Sequence, residues 1–71
     1  MFYVIESYTG EVLFTAHDEE SCRKFCGQIA YAENYGLCRS WRHDGHLCMD
    51  CGPRTFVITD NPSGLNPKDM L

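Results

Sequence analysis

The chain has 71 residues, 44% of them hydrophobic and 13% aromatic, and ten acidic residues against six basic ones give a formal charge of −4. That composition excludes whole-chain disorder, and the acidic balance opposes general binding to nucleic-acid backbones. A chain this short makes one domain whose core is marginal, burying only about 60% of the unfolded surface, so a staple is to be looked for.

Phe2-Tyr3-Val4-Ile5 is short, β-branched and aromatic and predicts a strand. Glu6 follows at once, with no basic lead-in and no long apolar region, so no secretory signal is read there. No apolar run is long enough to span a bilayer. The expected compartment is therefore the cytoplasm, where thiols stay reduced. Thr9-Gly10 supplies a turn, and Val12-Leu13-Phe14-Thr15 is the return strand, giving a hairpin over 2–16. Both strands are apolar on both faces, which suits a central position or a contact surface and leaves a homodimer open.

Asp18 caps a helix, with Glu19 and Glu20 at the positive end of its dipole. Cys22, Phe25, Cys26, Ile29 and Ala30 recur at helical spacing, and Gly36 is placed as a stop, so the helix is expected over about 18–35. Tyr31 and Tyr35 fall opposite the apolar stripe. Leu37 to His43 predicts a third strand, and Asp44-Gly45 is a two-residue hairpin turn. His46-Leu47-Cys48 starts back, Cys51-Gly52-Pro53 breaks the pattern, and Arg54 to Thr59 is the last strand. The fold expected is α+β: a small antiparallel sheet, ββαβββ along the chain, with one helix packed on it. The domain is read as residues 1–60, with 61–71 as a C-terminal loop or tail.

The most specific local pattern is Cys48-Met-Asp-Cys51-Gly52. It resembles the knuckle of zinc ribbons and treble-clef fingers, in which C-x-x-C-G turns the backbone so that both sulfurs face one ion. The resemblance covers these five residues and implies a ligand geometry, with no family attached. A structural zinc takes four ligands. Cys22 and Cys26, four apart on the helix, stack on one face and complete a site with Cys48 and Cys51. Gly27 beside them would let the knuckle backbone approach. A second arrangement joins Cys38, with His43 or His46, to Cys48 and Cys51. It is disfavoured because the Asp44-Gly45 turn puts Cys38 on the other face from Cys48, His43 and His46. Without metal, all of these are reduced core cysteines, the simplest reading of Cys38.

Catalysis leaves few traces, and the chain is read as a non-enzyme. A thiol-redox role is the nearest catalytic alternative, but the residues after Cys51 offer no helix dipole, and acids surround Cys22. There is no nucleophile elbow, phosphate loop or H-E-x-x-H. Arg39, Trp41 and Arg42 form a basic-aromatic stripe that could stack single-stranded bases, against the grain of the net charge. Tyr8, Tyr31, Tyr35 and Trp41 are the candidate partner-binding residues. Tyrosine is common at interface hot spots, and an acidic field steers basic partners. The reading is a small, zinc-stabilised protein-binding module: an adaptor, or an inhibitor of a larger partner that is basic or handles nucleic acid.

Overall fold

Three tight turns and one helix cap set the architecture. The structure, a computed structural model, describes residues 1–36 and 38–63. In chain order they form β1 (Phe2–Glu6), β2 (Val12–Ala16), α1 (Glu19–Ala32), β3 (Arg39–His43), β4 (His46–Cys51) and β5 (Arg54–Thr59). The strands make one sheet in the order β2-β1-β5-β4-β3, antiparallel at every pairing. The expected α+β fold, ββαβββ with one helix on an antiparallel sheet, is what forms.

Asp44 and Gly45 both take positive φ, 51° and 82°, as a two-residue turn matched to strand twist requires. Gly52 at φ 63° precedes Pro53, whose ring fixes a negative φ. Cys51 therefore faces Arg54 across a second tight turn, and the expected break at Cys51-Gly52-Pro53 is the corner of the β4–β5 hairpin. In β2 one extra residue lies between the partners of Val4 and Ile5, a bulge that turns Leu13 and Phe14 both toward the helix side.

Asp18 caps α1, its side chain accepting from the Ser21 backbone N–H at 3.0 Å and from the Ser21 hydroxyl at 2.7 Å. The far end differs from expectation. Asn34, at φ 60°, is the left-handed residue that stops the helix, which asparagine tolerates better than most side chains. The Tyr35 N–H then donates to the Ala30 carbonyl at 2.8 Å and the Asn34 N–H to Tyr31 at 3.2 Å, closing off the last turn. Gly36 is spent on the link to β3, and Tyr35 lies outside the helix.

The helix lies across β2, β1, β5 and β4. Its Cys22, Cys26 and Ala30 meet Val4, Leu47, Met49, Cys51, Phe56 and Ile58 from the sheet in one buried cluster. Burying side chains the size of Phe56 or Ile58 stabilises by about 1.5–3 kcal/mol each. Alternate strand residues point to the other face. There Cys48 and Val57 are buried against half-buried Trp41 in a second, smaller cluster.

The predicted tail from 61 onward falls largely on residues 64–71, outside the described residues, as does the first residue of the predicted third strand, Leu37.

Candidate functional site

The five cysteines divide by strand alternation. Cys22 and Cys26 hang from α1 into the main cluster, and Cys51 joins them from the end of β4. Cys48, three residues earlier on β4, points through the sheet to Trp41 and Val57. Cys38 stands directly across from Cys51, one position beyond the Arg39–Asp50 pair, with a Cα–Cα separation of 4.5 Å. That is the close spacing of a non-hydrogen-bonded antiparallel pair, and the two sulfurs form a disulfide.

This corrects two expectations. Cys38 is not a free core thiol, and the cysteines are not all reduced. The predicted zinc set is not assembled either: Cys48 faces away from Cys22, Cys26 and Cys51, and the sulfur of Cys51 is taken by Cys38. The alternative set fails on the same geometry. His43 and His46 pair at the hairpin end on the face of Cys48, remote in register from the Cys38–Cys51 pair. Among the described residues no three His, Cys, Asp or Glu side chains are grouped to hold a metal ion. Gly27 has open space where a Cβ would be, so no knuckle backbone approaches it.

The free thiols are held protonated. Burial pushes the Cys26 thiol up to about 12, with the neighbouring Cys22 adding to the rise. Cys22 is raised by burial first and then by the Asp18 and Glu19 carboxylates. Burial alone raises Cys48. A protonated thiol is a poor nucleophile at neutral pH.

One end of the molecule gathers the Cys38–Cys51 pair, the β4–β5 turn, the β1–β2 turn and the C-terminal end of α1. Tyr35 packs here over Gly52, where an added Cβ would come within 2.8 Å of the ring. Tyr35 is thus half-buried support for the turn and not the solvent-facing helix residue expected. Arg54 reaches Glu6 at 3.4 Å and Glu33 at 3.4 Å, and its guanidinium lies 5.2 Å from the Phe56 ring centre. Tyr31 stands 89% exposed on the outer face of the helix, and Tyr8 is 59% exposed in the β1–β2 turn. Tyr31, Gly27, Ala30, Asn34, Gly36 and Cys38 line an open depression of about 600 Å³. Trp41 is not part of this end; it packs on the opposite face of the sheet.

The basic-aromatic stripe is divided by the same alternation. Arg42 points to the helix side and grips Glu19, whereas Trp41 faces the other way. Arg39 shares the Trp41 face and pairs with Asp50 at 3.3 Å. Arg39, Trp41 and Arg42 therefore do not form one continuous surface. The signal for this was present in the sequence, since adjacent strand residues point to opposite faces.

Comparisons with protein-family models, with curated proteins and with solved structures return no match. No helix among the described residues is long and apolar enough to cross a membrane.

Proposed function

We propose that this chain is a small protein-binding module, an adaptor or an inhibitor, whose partner presents a basic surface. The observation that carries the reading is Tyr31, 89% exposed at the rim of the depression formed by the end of α1 and the start of β3. A rigid aromatic with a polar tip, left in solvent beside a concavity, suits a hot-spot anchor. Tyr8, 59% exposed in the β1–β2 turn, is a second solvent-facing tyrosine, and the formal charge of −4 favours encounter with a cationic partner. The test is affinity capture from the native host with wild type and Tyr31→Ala side by side. One protein held by wild type, lost with Tyr31→Ala and weakened by salt supports the reading. Equal capture by both variants, or salt-insensitive binding, defeats it.

A second reading is self-association through β2. That edge strand, Val12-Leu13-Phe14-Thr15-Ala16, is uncharged and Val12 is 47% exposed, whereas the other edge, β3, carries Arg39, Arg42 and His43. Charged residues blunt an edge against pairing, and an uncharged edge lacks that protection. Sedimentation of wild type against Thr15→Lys separates the two: a dimer abolished by the lysine supports pairing at β2.

A further inference from the structure

We propose that Cys38–Cys51 is an exchange-active disulfide, open to attack by a low-molecular-weight thiol at the Cys38 sulfur, and not a sealed structural bond. The inference goes beyond the partner-binding reading and stands whether or not a protein docks at Tyr31.

The two sulfurs are not equivalent. Cys51 is fully buried in the main cluster, whereas Cys38 is half-buried and forms part of the wall of the open depression. Among the described residues the depression beside Cys38 is lined by Gly27, Ala30 and Gly36, which have little or no side chain, together with Tyr31 and Asn34, and its open side gives a small peptide thiol a way in. Gly27 carries this argument most directly. An added Cβ there would touch nothing within 4 Å, so glycine is not required by packing or by its φ, and its effect is to keep the space open. A volume of about 600 Å³ lies within the range that small ligands use, roughly 300–1,000 Å³.

The chemistry balances without an added oxidant or reductant. The incoming thiolate attacks Cys38 Sγ, a new S–S bond forms there, and the Cys38–Cys51 bond breaks with its electron pair leaving on Cys51 Sγ. Cys51 then takes up the proton that the incoming thiol released. One disulfide is consumed and one mixed disulfide is formed. Return attack by Cys51 on the mixed disulfide restores the starting bond and expels the thiol.

The choice of sulfur is set by access. The buried thiols Cys22 and Cys26 flank the pair on the inner side and are held protonated, so they do not compete with the external thiol at neutral pH.

The test incubates the folded, air-oxidised protein with reduced glutathione, quenches in acid and locates the adduct by peptide mass spectrometry. The expected result is a mixed disulfide on Cys38, formed without denaturant. In Gly27→Leu, which puts a branched side chain into the depression beside Cys38, its rate should fall by about tenfold or more, since exchange rates depend on access to the attacked sulfur. The near-ultraviolet circular dichroism of Trp41 verifies that Gly27→Leu keeps its fold. An adduct on Cys51, exchange seen only after unfolding, an unchanged rate in folded Gly27→Leu, or free thiols at both positions after air oxidation would each overturn the proposal.

Discussion

Arg42 holds Glu19 with both terminal nitrogens, at 2.9 and 2.6 Å, and so ties edge strand β3 to the first turn of α1. The helix lies over the other four strands, which leaves this pair as a tether for the fifth. The hydrogen bonds from Arg42 hold the Glu19 carboxyl below its usual range. A lowered folded pKa means that the pair stabilises above the unfolded carboxylate value and that its contribution is lost as pH falls through the folded one. Glu19→Gln should therefore unfold at lower urea than wild type at pH 7. The difference should vanish in strong acid and shrink at about 1 M salt, where the screening length is only about 3 Å.

Gly52 and Tyr35 predict a coupled response. At φ 63° an alanine at position 52 costs roughly 1–2 kcal/mol in backbone strain alone. Its Cβ would also sit 2.8–3.0 Å from three atoms of Tyr35, the Cβ among them, so the ring and its attachment must shift. Gly52→Ala should be clearly destabilising in urea titration. In a double-mutant cycle with Tyr35→Ala, part of that cost should disappear and the strain should remain. Strict additivity would show that the ring yields freely.

The thiols make an alkaline prediction. Cys26 is raised from an ordinary 9.0 to about 12. A folded pKa above the unfolded one means the stabilising contribution is complete below pH 9 and is lost as pH climbs toward 12. Cys26→Ala should lose a cavity's worth of stability at neutral pH, yet show a flatter decline across that window. Thermal unfolding at a series of pH values reads both effects.

Trp41 is the lid on Cys48. Cys48 is fully buried against Val57, with Trp41 its half-buried cross-strand neighbour on that face. In the native protein Cys48 should resist iodoacetamide at pH 8. Trp41→Ala should open it to labelling while Cys22 and Cys26, behind the sheet, stay protected. Labelling of all three together would mean global unfolding, and labelling of none would show that Trp41 is not the cover.

Ser7 is fully buried, and its hydroxyl has no hydrogen-bond partner among the described residues. An unsatisfied buried hydroxyl costs about 1–3 kcal/mol, so Ser7→Ala should be neutral or should raise the unfolding midpoint. A marked loss of stability would point to a bridging water at that position.

Strand and helix identities follow from local patterns, which is why the order of elements is readable in the sequence. The turn Asp44-Gly45 even contains the disulfide. Residues paired across it have numbers summing to 89, as do 38 and 51, so Cys38 and Cys51 must stand opposite each other. The zinc set groups Cys48 with Cys51 through the C-x-x-C spacing, and the structure places the two in different clusters. In a strand, three residues apart means opposite faces; only a knuckle-shaped turn would have brought them together. Tyr35 departs from the expected helix for a different reason. Asn34 is a weaker stop signal than Gly36, and the contact that accompanies its use, Tyr35 on Gly52, joins residues far apart in sequence.

The central position of β5 has a consequence for synthesis. It pairs with β1 on one side and β4 on the other, yet it comes after all the other described strands in the chain. Until Arg54–Thr59 emerges, the two hairpins β1–β2 and β3–β4 share no strand, and each shows an unpaired inner edge with apolar side chains beside it. The nascent chain therefore completes its sheet in a single late event. Any delay in docking Arg54–Thr59 prolongs the interval in which neighbouring chains can pair with those edges.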